Sequence, residues 1–163
     1  MQRNWQLIVF AVLAALLCAC ENPTFRSSVP RYPVRLTIDT RQGVFVHFTP
    51  EALSTYVIAD REGYHYNGEL VVRTVLDAYG YGGVVVYIDM LGNYNAFDLA
   101  CPNCAAKGRC MPCTVDGLFA VCPECKEHYD LGSGTAVPTK GIANEFMLRI
   151  PVINSGGKLT INQ

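Results

Sequence analysis

Residues 83–89 read GVVVYID and are the clearest candidate for a buried β-strand in this chain of 163 residues. Gly92 and Asn93 then supply a turn, and residues 94–98, YNAFD, supply a returning partner strand. Upstream, residues 34–39 alternate apolar and polar side chains, as one half-buried strand does. Further strands are predicted at residues 44–48, 118–121, 146–152 and 159–161, with a hairpin turn at 155–157. Many short strands without a long helical pattern predict an all-β sandwich or barrel. Residues 50–63 are ambiguous, because PEAL at 50–53 is also a fair start for a short helix.

The composition argues against several function classes. The formal net charge is −1, and no basic stripe or acidic tail is present, so nucleic acid is not an expected partner. The carboxylates are scattered, and the serines lack the strand–turn–helix setting of a nucleophile elbow. The sequence therefore predicts no enzyme activity, and an unidentified protein partner remains the expectation.

The first residues have the features of an export signal. Arg3 precedes an apolar run at residues 7–17, which is shorter than the roughly 20 residues that span a bilayer. The run ends in LCAC at residues 17–20, which resembles a bacterial lipobox, although a plain secretory signal is the alternative. The resemblance implies a signal peptide at 1–19, lipidation of Cys20, a flexible tether at 20–32 and a domain at 33–163. The protein is then expected on a bacterial envelope membrane, lipid-anchored at the periplasmic or outer face.

Two C-x2-C hooks dominate the second half of the domain. Cys101 and Cys104 form the first hook, and Cys122 and Cys125 form the second. This spacing is typical of a four-thiolate metal site, in which two opposed hooks close a tetrahedron. A metal-binding subdomain is therefore predicted at about residues 99–132, similar in kind to a rubredoxin or zinc ribbon.

Other uses of the thiols remain open. Cys110 and Cys113 form a third C-x2-C unit, and a disulfide between them is possible in an oxidising compartment. The remaining cysteines also allow a framework of three disulfides without metal, or thiol–disulfide redox chemistry. His128 follows the second hook closely enough to replace one thiolate, whereas His47 and His65 are not expected to bind metal.

The order of motifs resembles a Rieske iron–sulfur domain. Residues 94–102 run into the first hook, residues 121–125 form the second, and residues 129–134, YDLGSG, match the family's aromatic-Asp-Leu turn. The resemblance implies a Rieske-like β-domain in which Cys101 and Cys122 are ligands. It also implies that Tyr129 hydrogen-bonds to a cysteine sulfur.

The departures from the Rieske pattern change the expected cofactor. Asn103 stands where the family has its first histidine, and Cys125 stands where it has the second. Lys126 and Glu127 also replace the family's glycine and hydroxyl residue. Loss of both histidines turns the ligand set into four thiolates, and an all-cysteine [2Fe–2S] cluster would be strongly reducing. We therefore expect Zn²⁺ in a binding or accessory module, with a [2Fe–2S] electron-transfer protein as the rival and a disulfide-bridged interaction lipoprotein as the third hypothesis.

Overall fold

Strands are the main regular structure of the described residues. The computed structural model describes residues 25–42, 45, 51–60, 64–66, 69–71, 77–142 and 144–163. The strands are β1 (Val34–Asp39), β2 (Ser54–Ala59), β3 (Tyr64–Tyr66), β4 (Glu69–Val71), β5 (Ala78–Tyr79), β6 (Val84–Ile88), β7 (Tyr94–Asp98), β8 (Thr114–Asp116), β9 (Phe119–Val121), β10 (His128–Asp130), β11 (Val137–Lys140), β12 (Arg149–Ile150), β13 (Val152–Ser155) and β14 (Lys158–Asn162). The helical elements are α1 (Pro102–Ala105) and a 3-10 turn at Leu131–Ser133. The predicted all-β class is confirmed. None of the helices in the described ranges is both long and apolar enough to cross a membrane.

The described strands form three antiparallel sheets. Their orders are β13-β14-β1-β5, β12-β7-β6-β2-β3-β4 and β11-β10-β9-β8. The third sheet packs against the cysteine hooks through Ala120 and Tyr129.

Strand β6 is buried along its whole length because both of its faces are covered. Val84, Val86 and Ile88 contribute to a core shared with β1, β2 and β14. Val85 and Tyr87 point the other way, into a second core that contains the cysteines. The period of two along a strand thus makes β6 the wall between the two cores. Each fully buried side chain of this kind stabilises the fold by about 1.5–3 kcal/mol.

Two turns were correctly predicted from glycine and asparagine. β6 and β7 pair from Val84↔Asp98 to Ile88↔Tyr94, with the Gly92 turn between them. Ser155 pairs with Lys158 across Gly156 and Gly157, whose φ angles are +56° and +86°. Positive φ at both central positions suits glycine and matches the twist of a two-residue hairpin.

The described part of the ambiguous stretch 50–63 contains a strand and not the short helix that PEAL allowed. Residues 54–59 form β2, which pairs with β6 along its length. Leu53 has a left-handed φ of +58°, so the helix that PEAL suggested cannot continue through it. Thr55, Val57 and Ile58 are β-branched and favour the strand.

The predicted strand at residues 44–48 lies almost wholly outside the described residues. Phe45, its described member, has 3-10 conformation. The described partners of β1 are β14 and β5 rather than this segment.

Candidate metal centre

The first hook is built on α1, which begins directly after Cys101. Cys101 precedes the helix in extended conformation, and Pro102 occupies the first turn, where its missing N–H leaves no bond unmade. The amide of Ala105 donates to the carbonyl of Cys101 over 2.9 Å. The amide of Cys104 donates to the Cys101 sulfur. This helical turn places both sulfurs on the same side of the hook.

The second hook is a tight turn that follows β9. The amide of Lys126 donates to the carbonyl of Cys122 over 3.1 Å, and the amide of Cys122 donates to the carbonyl of Glu127 over 2.9 Å. Lys126 reverses the chain with a φ of +60°. The amide of Cys125 donates to the Cys122 sulfur, as the corresponding amide does in the first hook. Such N–H···S bonds offset negative charge on a thiolate.

The two hooks face each other and bring four sulfurs together. The Sγ atoms of Cys101, Cys104, Cys122 and Cys125 all lie within 4.8 Å of one another. The closest pairs cross between the hooks: Cys101 to Cys125 at 3.5 Å and Cys104 to Cys122 at 3.7 Å. Three of the four are buried, and Cys125 is partly exposed. Cys125 is therefore the member of the group that is nearest to solvent.

Two further side chains lie close to Cys101. The Tyr129 hydroxyl lies 3.5 Å from Cys101 Sγ, as the Rieske resemblance implied. Cys113 is buried in the same cluster as Cys101. Cys113 was not predicted to contact the hooks.

A short antiparallel contact explains how Cys113 reaches Cys101. Ala100 and Pro112 form an isolated β-bridge. The amide of Cys101 donates to the carbonyl of Met111 over 2.9 Å, and the amide of Cys113 donates to that of Leu99 over 2.8 Å. No residue pattern within this segment distinguishes it from a loop, so the sequence carried no signal for the contact.

The thiols differ in how readily they ionise. The hydrogen bond from Cys113 lowers the pKa of Cys101, and those from Tyr129, the Cys104 amide and Cys125 act in the same direction. Burial raises the pKa of Cys104 and raises that of Cys122 to about 12. Burial also raises the pKa of Tyr129. Cys101 is therefore the first thiolate of the group, and Cys104 and Cys122 hold their protons at neutral pH.

The disulfide between Cys110 and Cys113 is not formed in this structure. Both are free thiols, and they face different neighbours. Cys110 donates to the carbonyl of Tyr81 over 3.0 Å and packs near Val29, whereas Cys113 is buried beside Cys101. The six described cysteines contain no disulfide, so the framework of three bridges is not formed either.

The side chains of His128 and Glu127 are not part of the sulfur group. Among the residues described, the group that could hold a metal ion contains cysteines alone, so His128 is not brought into it. The buried carboxylate of Glu127 accepts a hydrogen bond from the amide of Ile142 over 2.7 Å. Gly141 allows this contact, since a Cβ there would collide with the Glu127 carboxylate. Glu127 thus ties the second hook to the loop after β11. Cys20 and His47 lie outside the described residues.

Two of the six sulfur–sulfur distances match the edge of a tetrahedral metal site. With metal–sulfur bonds of about 2.3 Å, the sulfurs of such a site lie roughly 3.8 Å apart. The two closest pairs, at 3.5 and 3.7 Å, are near that edge length. A [2Fe–2S] cluster has two cysteines on each of two irons, with two sulfides between the irons. The two pairs of sulfurs would have to move apart to hold it.

Comparison with known proteins gives one weak similarity. No family model matches the chain, and no curated protein matches it. A ferredoxin from Sphingomonas yanoikuyae B1 is similar in structure, with a TM-score of 0.36 and 20% sequence identity. The similarity covers 50% of this chain and 74% of the ferredoxin. At that TM-score it assigns neither a family nor a cofactor to this chain.

Proposed function

We propose that the four-cysteine group binds one Zn²⁺ ion and that the protein is a non-catalytic binding module. The observation that carries this proposal is the convergence of four sulfurs within 4.8 Å. Cys101, Cys104, Cys122 and Cys125 would hold the ion, which supplies structural cross-linking and no redox chemistry. Because the unfolded chain offers no preformed site, the binding free energy would stabilise the folded hooks.

A second candidate is electron transfer through iron held by the same cysteines. Two observations favour it: the partial exposure of Cys125, which would give a partner access, and the hydrogen bond between Tyr129 and Cys101. Hydrogen bonds to ligand sulfurs and solvent exposure both tune the potentials of iron–sulfur centres. For a [2Fe–2S] cluster, the hooks would also have to open.

We propose further that the domain is anchored to a bacterial envelope membrane through acylated Cys20. The support is the sequence at residues 1–20, with Arg3, an apolar run and the lipobox-like LCAC. Stable anchoring takes two or more acyl chains, as lipoprotein processing would add. The membrane and an unidentified protein would then be the partners.

Metal analysis of the purified full chain tests the first proposal. We expect a colourless protein with one zinc per chain. A red-brown protein with visible charge-transfer bands, iron and acid-labile sulfide would establish the electron-transfer candidate instead. Absence of metal, together with no titratable thiol after denaturation, would show a disulfide-bridged interaction protein.

Zinc affinity should fall steeply as the pH is lowered. Binding must release the protons of Cys104 and Cys122, because their raised pKa values keep both protonated at neutral pH. Cys101, whose pKa is lowered, contributes little to this proton release. The logarithm of the apparent association constant should therefore rise by at least about two units per pH unit between roughly pH 6 and 8. Competition with a chelator of known protonation constants measures the slope, and a slope of zero would contradict the assignment.

A further inference from the structure

Residues 25–32 of the predicted tether lie against the domain. The amide and hydroxyl of Ser28 both donate to the Glu145 carboxylate, over 2.7 and 2.9 Å. The rings of Phe25 and Phe146 meet edge to face with centroids 5.0 Å apart. Val29 is buried beside Leu148. The described chain is thus in contact with the domain from Phe25 onward.

A cavity of about 230 Å³ lies between this docked segment and the residues leading into β12. Phe25, Met147 and Leu148 supply apolar lining, and Ser27 and Thr135 bring hydroxyl groups. The remaining lining residues are Arg31 and Arg149. This volume is below the roughly 300–1,000 Å³ of most ligand pockets, so the cavity suits only a small group such as a phosphate headgroup.

The two arginines give the cavity an uncompensated positive charge. Within the described chain, no carboxylate lines the cavity or pairs with Arg31. Arg149 donates to the neutral amide oxygen of Asn95 over 2.7 Å, which fixes its guanidinium without neutralising it. Glu145, the nearby carboxylate, is occupied by Ser28 and Arg26. Because both arginines line one space, an oxyanion bound there would be attracted by two positive charges.

The position of the cavity limits what reaches it. Five peptide units join Cys20 to Phe25 and span at most about 18 Å when fully extended. If Cys20 is acylated, as proposed above, the face around Phe25 is held within that distance of the lipid headgroups. The effective concentration of headgroups at the cavity is then far higher than that of a dissolved anion.

We propose that the cavity between residues 25–31 and 147–149 binds the phosphate of an anionic phospholipid headgroup. Arg31 and Arg149 bind the phosphate oxygens, and the hydroxyl groups of Ser27 and Thr135 are available as further donors. The apolar lining contacts the glycerol portion. This site would orient the domain on the membrane, with the docked segment facing the bilayer. The proposal rests on the lipid anchor for its membrane context, but not for the chemistry of the cavity.

Thermal unfolding of the full mature chain in non-ionic detergent tests the proposal. Mixed micelles carry phosphatidylglycerol in one series and phosphatidylcholine in another, and inorganic phosphate is added to plain micelles in a third. We expect a saturable rise in unfolding temperature with phosphatidylglycerol, at least tenfold weaker apparent affinity with phosphatidylcholine, and little response to phosphate. R31Q combined with R149Q should weaken the phosphatidylglycerol response at least tenfold.

R41Q is the matched control, because Arg41 is an exposed arginine whose charge is already paired with Asp39. It should keep the full lipid response. Circular dichroism and metal content should match wild type in the double variant, since both cavity arginines are exposed.

An unchanged phosphatidylglycerol response in the double variant, or an equal loss of response in R41Q, would contradict the proposed binding site. Equal affinity for phosphate and phosphatidylglycerol would overturn the lipid assignment in favour of a soluble oxyanion. Mass spectrometry tests the acylation of Cys20 independently. The lipid anchor and the headgroup site are therefore contradicted by different measurements.

Discussion

Cys122→Ser should abolish stoichiometric zinc binding and loosen residues 99–132. Cys122 is fully buried, and its sulfur lies 3.7 Å from that of Cys104 in the opposite hook. A serine hydroxyl does not ionise at neutral pH and cannot replace a thiolate, so the ion would keep three protein ligands. We expect at least about a 100-fold loss of zinc affinity, since even residues that merely orient ligands contribute 10–100-fold.

Two measurements test the effect of Cys122→Ser. Chelator competition gives the affinity, and hydrogen exchange gives the local stability of each segment. Amides of β8–β10 should exchange faster, whereas those of β1, β6 and β14 should remain protected by the core they share. Cys110→Ser is the control, because Cys110 packs outside the sulfur group and should leave zinc binding unchanged. Loss of zinc in Cys110→Ser with retention in Cys122→Ser would show that the wrong hooks were assigned.

Local patterns predicted β1, β6, β7, β9, β14 and two turns, because their causes are local. The strand predicted at residues 146–152 was wrong over 146–148, since β12 begins at Arg149. The apolar run of β6, the Gly92 turn and the Gly156-Gly157 turn each depend on a few adjacent residues. The hooks are equally local, since C-x2-C spacing alone presents two sulfurs on one side of a turn. What the pattern of β6 did not reveal is that its two faces belong to different cores.

The misjudged features depend on contacts distant in sequence. Residues 54–59 are a strand because β6 offers them an edge, which outweighs a helix start at 50–53. The proline- and serine-containing segment predicted as a tether is held from Phe25 onward by Glu145 and Phe146. Cys113 meets Cys101 through pairing of their two segments. In each case the sequence of the segment itself does not show which distant residues it will contact.

Asp98→Asn should be the most destabilising single-atom exchange near the hooks. The Asp98 side chain is fully buried at the end of β7, and its carboxylate accepts hydrogen bonds from three amides. These are the amides of Tyr81 at 2.6 Å, Gly82 at 2.9 Å and Ala100 at 2.8 Å. An asparagine has one acceptor oxygen, and its NH₂ group would face an amide donor. Leaving one buried N–H unpaired and weakening the others should cost about 3 kcal/mol.

This exchange should also weaken zinc binding, because Asp98 holds the backbone that enters the first hook. Ala100 directly precedes Cys101, and a Cβ on Gly82 would lie only 2.7 Å from the Ala100 Cα, so the two segments are in close contact. The unfolding temperature of the zinc-loaded protein should fall by roughly 6–12 °C for a loss of about 3 kcal/mol.

Asp89→Asn is the matched control at the opposite end of the same hairpin. Its carboxylate also accepts backbone amides, those of Leu91 and Asn93 at 2.8 Å, but in an exposed turn where water can replace it. Asp89→Asn should therefore lower the unfolding temperature much less and leave zinc affinity unchanged. Equal shifts in the two variants would mean that the burial of Asp98, and its link to the hook, contribute nothing.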